Sequence, residues 1–169
     1  MTEERKLQID ITYMSIAKEI AKLSYCQKRK VGSIIVKNRQ IISEGYNGTP
    51  AGRPNICEVV SASFDRSKPA EVFPGIKGKL VTKSEVLHAE SNAITKCAKF
   101  GNSTDGATIY VTCSPCIECS KLIIQAGITR VVYLIEHDTD GLDLMKSVGI
   151  SCEMLGVEND KFKLIEYGK

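Results

Sequence analysis

Two short motifs that lie far apart in the chain carry the residues of a metal site, so any fold of this sequence must bring them together. The first is His88-Ala89-Glu90 and the second is Pro115-Cys116-Ile117-Glu118-Cys119. One imidazole and two thiolates suit zinc better than Mg²⁺ or Ca²⁺, which prefer oxygen ligands. Three protein ligands leave the fourth position of a tetrahedral zinc open for water, which is typical of catalytic sites.

Each motif is predicted to lie where a helix begins. Helix-forming residues with apolar side chains at helical spacing follow His88, and Pro115 is typical of a first helical turn. Cys116 and Cys119 are three apart and share one helical face, so both thiolates can reach one ion. His88 and Glu90 are two apart and cannot both point at the metal from one face. We therefore expect Glu90 to transfer protons and not to bind the ion.

The Cys-x-x-Cys pair alone is ambiguous, because it also occurs in redox dithiols and as half of a structural zinc site. The His-x-Glu pair upstream and Pro115 directly before the cysteines favour a catalytic zinc, since this combination is the signature of zinc nucleobase deaminases. A structural site stays open as an alternative if Cys97 or Cys113 supplies a fourth ligand.

Length and composition limit the classes of function. The 169 residues predict a single domain over 1–169 with a core that needs no disulfides. A net charge of +3, from 23 basic and 20 acidic residues, is too balanced to indicate duplex nucleic-acid binding, and 6% aromatics without Trp argue against single strands. No apolar run approaches the ~20 residues of a membrane span. An odd cysteine count, with two spaced for metal, predicts no disulfides and a reducing cytoplasm.

Alternating helical and strand patterns predict an α/β fold. We predict helices over 7–23, 88–99, 116–126 and 140–147, and strands over 31–36, 40–43, 108–112, 130–135 and 151–155. Residues 37–39 form a hairpin turn, 45–52 a loop, and 162–167 a short strand or a tail. The Pro-, Gly-, Ser- and Lys-rich stretch at about 53–85 predicts an irregular insertion. The domain is expected to be a three-layer α/β/α sandwich with a mixed sheet covered by helices on both faces.

Several stretches resemble the deoxycytidylate (dCMP) deaminase family: 29–32, 45–52, 86–94, 114–119 and 122–128. The metal motif marks only the wider cytidine deaminase superfamily, whereas Gly45-Tyr46-Asn47-Gly48 narrows the match to the deoxynucleotide branch. The resemblance covers roughly 17–155. It implies a five-stranded mixed sheet, a homo-oligomer that is often hexameric, and zinc-dependent hydrolysis of dCMP to dUMP and ammonia for thymidylate synthesis.

The motif residues predict the chemistry. We expect one zinc per chain, which can lower the pKa of bound water to roughly 7, and Glu90 as the residue that shuttles protons to the base. The Ala89 N–H is a candidate partner of the cytosine carbonyl. The backbone of 112–114, which ends at Ser114, is a candidate partner of the amine. Ordinary roles at a helix start explain both features equally well. By resemblance, Asn47 holds the base and the sugar hydroxyl; the alternative is a positive-φ turn.

Contacts to anionic groups are predicted around the 45–52 loop. Gly48 and Thr49 can offer an N–H and a hydroxyl to a phosphate. Arg29, Lys30 and Arg53 are candidate cations for a phosphate or an allosteric nucleotide, although most surface cations are simply solvated. The resemblance also implies activation by dCTP and inhibition by dTTP, with Mg²⁺ shielding the triphosphate.

Cys26 and Cys57 resemble the cysteine half of a second, structural zinc site that some viral members of the family carry. That site also takes two histidines, and the chain has only His88 and His137, so we predict no second zinc. The sequence leaves alternatives open: a deaminase of another cytosine compound, a tRNA adenosine deaminase, or a zinc-binding module without catalysis. For a viral protein, the predicted compartment is the host cytoplasm.

Overall fold

A six-stranded mixed sheet forms the centre of the computed structural model, which describes residues 2–61, 71–73, 76–77, 79–158 and 161–168. The helices are α1 (Glu3–Ala21), α2 (Ala89–Phe100), α3 (Ile117–Gln125) and α4 (Asp140–Ser147). The strands are β1 (Gly32–Lys37), β2 (Gln40–Tyr46), β3 (Glu58–Ser61), β4 (Glu71–Phe73), β5 (Ile76–Lys77), β6 (Lys79–Thr82), β7 (Thr108–Cys113), β8 (Arg130–Ile135), β9 (Ser151–Glu158) and β10 (Lys161–Glu166).

The strand order in the sheet is β10-β9-β8-β7-β1-β2. β7, β8 and β9 run parallel, while the β1–β2, β1–β7 and β9–β10 pairs are antiparallel. The three-layer α/β/α fold is confirmed, but the expected five strands are six. The additional strand is β10, which pairs with β9 so that Leu164 faces Leu155 and packs into the core beneath α1. Because the carboxyl ends of parallel strands share an edge, the loops after β7 and β8 lie side by side.

Helix α1 covers one face of the sheet. Met14 is buried against the sheet together with apolar residues of β1, β7 and β8. The Asp10 carboxylate, 1% exposed, accepts two hydrogen bonds of 2.8 Å from the Arg130 guanidinium and one of 2.6 Å from the Tyr110 hydroxyl. Arg130 also donates to Glu153. A buried carboxylate with these partners holds the helix to β7 and β8, and Arg130 links the pair to Glu153 of β9.

The other three helices cover the opposite face. Ala93 of α2, Ile123 of α3 and Met145 of α4 are all fully buried in one apolar cluster with inward-facing residues of β7 and β8. Cys97 lies in the same cluster, so it is a core residue. Helices on both faces explain why β7 and β8 are apolar throughout most of their length.

The predicted hairpin is confirmed, but the predicted loop begins later. Asn38 and Arg39 make the turn with φ of 52° and 64°, and β2 continues to Tyr46, so Gly45 is a strand residue. A Cβ at Gly45 would collide with the backbone carbonyl of Ala89 and, at 2.6 Å, with the backbone nitrogen of Ala93. The glycine therefore serves the close approach of β2 to α2 and not a turn.

The stretch predicted as irregular, at about 53–85, contains two short antiparallel pairs in its described part. β3 pairs with β6, so that Val59 lies opposite Val81, and β4 pairs with β5. The β-branched residues of β3 and β6 favour this pairing. Positions 62–70, 74–75 and 78 of the predicted insertion lie outside the described residues. Within the described chain, we find no helix with the length and apolar character needed to cross a membrane.

One expectation about the cysteines is wrong, because Cys26 and Cys57 form a disulfide. The segment after α1 packs against the start of β3, which buries both cysteines beside Val86 and brings their Cα atoms to 5.2 Å. Sequence spacing could not show this contact between residues 31 positions apart. The other five cysteines are free: Cys97, Cys113, Cys116, Cys119 and Cys152. With one disulfide present, the cysteines do not indicate a reducing compartment.

Candidate active site and metal centre

The three predicted ligands meet in one cluster. The Nδ1 atom of His88 lies 3.4 Å from the Sγ atoms of both Cys116 and Cys119, and the ligand atoms all lie within 4.8 Å of one another. Ligands of a tetrahedral zinc, each about 2.0–2.3 Å from the ion, lie roughly 3.5 Å apart. The donor set and its spacing therefore fit zinc with one position left for a non-protein ligand.

Helix starts place these ligands, as the sequence predicts. His88 is the N-cap of α2, Cys116 is the N-cap of α3, and Cys119 lies in the first turn of α3. The positive end of a helix dipole favours the thiolate form of cysteine, which is the form that binds metal.

Hydrogen bonds within the cluster shift the pKa values of all three ligand side chains. Hydrogen bonds from Cys119 and His88 lower the pKa of the Cys116 thiol to about 3. The hydrogen bond to Cys116 and burial raise the pKa of Cys119. The hydrogen bond to Cys116 also raises the pKa of His88, although burial opposes it. Without an ion, the three side chains therefore share protons. A divalent ion bound to all three would displace these protons.

Glu90 is buried beside this cluster and is not one of the three grouped ligands. It is 4% exposed, and burial raises the pKa of its carboxyl to about 7, although nearby His88 lowers it. A carboxyl whose pKa is close to neutrality can both accept and release a proton at the pH of most cells.

Strand residues hold the helix that carries Glu90. The Ser33 hydroxyl of β1 donates to the Ala89 carbonyl at 2.8 Å, and the Ser43 hydroxyl of β2 donates to the Ala93 carbonyl at 2.7 Å. With Gly45 allowing close approach, these contacts fix the first two turns of α2 against the sheet. The carboxylate is therefore positioned by regular structure.

A cavity of about 360 Å³ opens over the cluster. Its wall is formed by Lys28, Arg29, Val31, Asn47, Glu58, Thr82, Val86, His88, Ala89, Glu90, Cys113, Ser114, Cys116, His137 and Asp138. Of the predicted substrate and anion-binding residues, Arg29, Asn47, Ala89 and Ser114 lie in this wall. A volume of this size accommodates a nucleotide-sized ligand.

The other predicted anion-binding residues lie outside the cavity wall. The Gly48 N–H donates to the Leu87 carbonyl at 3.1 Å, and the Thr49 hydroxyl donates to Pro54 at 3.1 Å, so both donors are used within the protein. Arg53 forms an exposed ion pair with Glu85 at 3.3 Å. Lys30 is exposed and is not part of the wall either.

The side chain of Asn47 joins two segments at the cavity. Its Oδ1 accepts a hydrogen bond from the Val31 N–H, and its Nδ2 donates to the Arg29 carbonyl, both at 2.8 Å. Among the described non-glycine residues, positive φ angles occur only at Asn38 and Arg39. The positive-φ turn considered for Asn47 is therefore wrong.

Sequence reasoning missed several residues of the wall. The Ser114 hydroxyl accepts hydrogen bonds from the N–H groups of His137 at 2.9 Å and Asp138 at 3.1 Å, which fixes the loop after β8 beside the site. The sequence signal that could have identified His137 and Asp138 is their position just after β8, a strand parallel to β7. Lys28 and Glu58 had no local signal, because a contact between distant segments brings them there.

The alternative ligands predicted from the sequence are not in the cluster. The Sγ atom of Cys113 accepts a hydrogen bond of 3.2 Å from Arg29 Nη1, and Cys97 lies in the core. The cysteine half of a second zinc site, Cys26 and Cys57, is a disulfide. In the parts of the chain that the structure describes, only one group of three or more potential ligands occurs.

Comparison with known proteins agrees with this geometry. A family model described as the cytidine and deoxycytidylate deaminase zinc-binding region matches residues 7–135. The deoxycytidylate deaminase of Enterobacteria phage T4 is 36% identical over 165 residues, covering 82% of this chain and 86% of that protein. The deoxycytidylate deaminase of Mycobacterium phage D29 is 37% identical and covers 73% of this chain and 92% of its own length.

A solved structure is similar in fold as well as in sequence. The dCMP deaminase of cyanophage S-TIM5, crystallised in complex with dCMP and dUMP, has a TM-score of 0.73 and 38% identity. The match covers 92% of this chain and 99% of that one. Over nearly its whole length, this chain is therefore similar to a deaminase crystallised with dCMP and dUMP.

Proposed function

The chain belongs to the cytidine and deoxycytidylate deaminase family, and we propose that it is the member that hydrolyses dCMP to dUMP and ammonia, which supplies dUMP for thymidylate synthesis. The observation that carries this proposal is one cavity that combines a His–Cys–Cys zinc site and the buried carboxylate of Glu90 with the cations Lys28 and Arg29. The likeness to a deaminase that binds dCMP and dUMP supports the choice of substrate.

Glu90 carries the protons in the proposed mechanism. Zinc held by His88, Cys116 and Cys119 would supply a Lewis acid that makes water acidic enough to react at neutral pH. Glu90 takes a proton from the attacking water and delivers it to N3 while the C4–O bond forms. It then carries the second proton to the N4 amine, the C4–N4 bond breaks, and ammonia leaves. A positioned carboxylate of this kind contributes roughly 10²–10⁴-fold in rate.

Substrate contacts follow from the residues of the wall. The Ala89 N–H is proposed to bind the cytosine carbonyl, and Ser114 orders the loop on the amine side through His137 and Asp138. Asn47 is proposed to contact the sugar from its place between two segments. The phosphate is assigned to Arg29, which the sequence predicts, and to its neighbour Lys28, because both lie in the wall whereas Lys30 and Arg53 do not.

Ammonia release from dCMP, CMP, deoxycytidine and dCTP, measured side by side with the zinc-loaded protein, tests the proposal. We expect dCMP to be the best substrate, with deoxycytidine much poorer because it lacks the phosphate. Preference for deoxycytidine would indicate a nucleoside deaminase. Release of ammonia from tRNA adenosine alone would contradict the proposal and indicate a tRNA adenosine deaminase. Release from no compound would also contradict it and indicate a module that only binds zinc.

We further propose a homo-oligomer, with the hexamer favoured. Helices α2 and α3 expose apolar side chains that a partner copy could bury: Phe100 is 70% exposed, Leu122 44% and Ile117 36%. Light scattering should give a mass six times the 18.5 kDa of the chain. A monomer mass at micromolar protein would contradict this.

Regulation by dCTP as activator and dTTP as inhibitor, with Mg²⁺ on the triphosphate, is also proposed. It requires a second anion site whose occupancy changes the affinity for dCMP. Lys30 and Arg53, exposed outside the cavity near the 45–52 loop, are the candidate cations. A sigmoid dCMP saturation curve, sharpened by dTTP and straightened by dCTP, is expected. Hyperbolic curves that neither nucleotide alters would remove this part of the proposal.

We also propose that 1–169 acts as one deaminase domain and that it works in the cytoplasm. One sheet combines β1 and β2 from the first third of the chain with β9 and β10 from its end, so neither part can form the sheet separately. The charged substrate supports the compartment, because a phosphate dianion crosses apolar membranes poorly.

A further inference from the structure

The carboxylate of Glu58 lies in the cavity wall, yet the chemistry at the zinc site does not use it. Its side chain is buried, with the residue 8% exposed. Its Oε1 accepts hydrogen bonds from the backbone N–H groups of Gln27 at 3.1 Å and Lys28 at 3.2 Å. Among the described residues, no cationic side chain forms an ion pair with it. A buried charge requires hydrogen-bond partners, and here the partners are backbone N–H groups. The carboxylate therefore fixes the backbone at Gln27 and Lys28.

The backbone that it holds has no helix or strand of its own. Between α1 and β1, residues 22–31 form a connecting segment. At one side the Ser24 hydroxyl donates to the Asn47 carbonyl at 2.7 Å, and at the other Asn47 Nδ2 donates to the Arg29 carbonyl at 2.8 Å. Between these two contacts, Glu58 and the neighbouring disulfide fix the course of the chain.

This course determines where two cations lie. Lys28 and Arg29, which we call the cationic rim, are both exposed residues of the cavity wall. Neither forms an ion pair within the described part of the chain, and Arg29 donates to the Cys113 thiol. Unpaired positive charge at the rim of a cavity attracts an anionic group of a ligand.

We propose that Glu58 is a positioning residue for substrate affinity. By fixing the backbone of Gln27 and Lys28, it holds the Lys28 ammonium where the 5′-phosphate of a nucleoside monophosphate binds. The inference rests on the proposed function and adds a residue that acts through Lys28 without touching the substrate. The N–H dipoles that face the buried carboxylate offset part of its negative charge, so that it need not repel the phosphate.

Steady-state kinetics of the zinc-loaded Glu58→Ala variant with dCMP and with deoxycytidine test the proposal. We expect KM for dCMP to rise about 10-fold, the size of one hydrogen bond to a charged group. The value of kcat should stay within about 2-fold, and the kinetics with deoxycytidine should not change, because that substrate has no phosphate.

A double-mutant cycle tests whether Glu58 acts through Lys28. Lys28→Ala alone should also raise KM for dCMP about 10-fold, and adding Glu58→Ala should then have little further effect. Glu58→Gln keeps one carbonyl oxygen as acceptor and should restore KM to within about 3-fold of wild type. Glu85→Ala is the matched control, since Glu85 pairs with Arg53 away from the cavity wall. Its kinetics should equal those of wild type.

Equal losses with dCMP and deoxycytidine, a fall confined to kcat, or additive effects of the two alanine variants would overturn the proposal. A thermal melt of each variant separates these results from loss of fold. If wild type releases no ammonia from dCMP, the proposed function fails. Calorimetric binding of dUMP and uridine then decides the role of Glu58 without turnover: equal dUMP affinity in wild type and Glu58→Ala would refute it, and selective weakening would support it.

Discussion

The zinc side of the cavity and its cationic rim are held by different kinds of structure. His88, Cys116 and Glu90 lie at the starts of two helices, and backbone hydrogen bonds and serine contacts from the sheet fix those helices. Lys28 and Arg29 lie in a segment without regular structure, held by side chains from distant positions. Regular elements thus fix the metal-site residues and Glu90, whereas a few long-range contacts fix the two cations that we propose to bind the phosphate.

The strongest test of the zinc side is Cys116→Ala. With two ligands left, the site should bind zinc far more weakly, because each thiolate contributes a bond that water replaces poorly. We expect bound zinc to fall from one ion per chain to nearly none, with loss of all measurable ammonia release. Metal analysis by mass spectrometry checks this. Two zinc ions per wild-type chain, reduced to one by Cys26→Ser, would contradict the single site.

Glu90→Gln separates metal binding from proton transfer. The amide is nearly the same size but cannot accept a proton, so activity should fall at least ~10²–10⁴-fold while zinc stays at one ion per chain. Ammonia release and metal content are measured on the same sample. A metal-free Glu90→Gln protein would show that Glu90 is a ligand.

Gly45→Ala tests whether close packing of β2 against α2 fixes the reacting groups. The added Cβ would collide with the backbone of Ala89 and Ala93, and a shift of about 1 Å can cost ~10²-fold in rate. We expect a fall in kcat of ~10- to 100-fold together with a lower melting temperature. Gly48→Ala is the matched control, since its Cβ would meet only the Tyr46 ring at 4.0 Å. Equal effects of both substitutions would remove the packing argument.

Near the cationic rim, Cys26→Ser should reduce the stability of the fold and the affinity for dCMP but not the rate of the chemical step. A disulfide between residues 31 positions apart stabilises a fold by roughly 4 kcal/mol in the chain-entropy model, and measured values are often lower. We expect the free energy of unfolding in urea to fall by about 2–4 kcal/mol, KM for dCMP to rise and kcat to stay similar. A reductant that does not bind zinc should lower the free energy of unfolding of wild type and leave that of the variant unchanged. Equal response of both would contradict the role of this bond.

The smallest effect is expected at Glu153, which is remote from both sides of the cavity. Burial raises the pKa of its carboxyl, but hydrogen bonds and the charge of Arg130 outweigh burial and leave the pKa lowered. The contribution to stability is therefore present above the unfolded pKa of about 4.3 and is lost as the pH falls through the lower folded value.

Glu153→Gln should consequently reduce the free energy of unfolding by roughly 1 kcal/mol at pH 7 and by less near pH 3. Urea titrations at both pH values measure the difference, and kcat and KM should not change. A loss that is larger at pH 3 would reverse the sign of this linkage.

The same contrast explains what the sequence could predict. The metal ligands and Glu90 follow from short spacing and helix-start signals, which are local properties of the chain. For the same reason, the sequence predicts both ends of β1, β2, β7, β8 and β9 to within three residues. Glu58 and Lys28 could not be found, because their place depends on the packing of Cys26 against Cys57. For 162–167 the sequence predicts a short strand or a tail, and the structure shows the edge strand β10.

The pairing of Asp10 with Arg130 has a consequence for how the chain is made. The two residues are 120 positions apart. At about 5–20 residues per second, a ribosome needs roughly 6–24 s between them. During that time the Asp10 carboxylate has neither Arg130 nor, at first, Tyr110, so burying it would cost free energy. Helix α1, although synthesised first, should therefore settle onto the sheet only after most of the domain has left the ribosome.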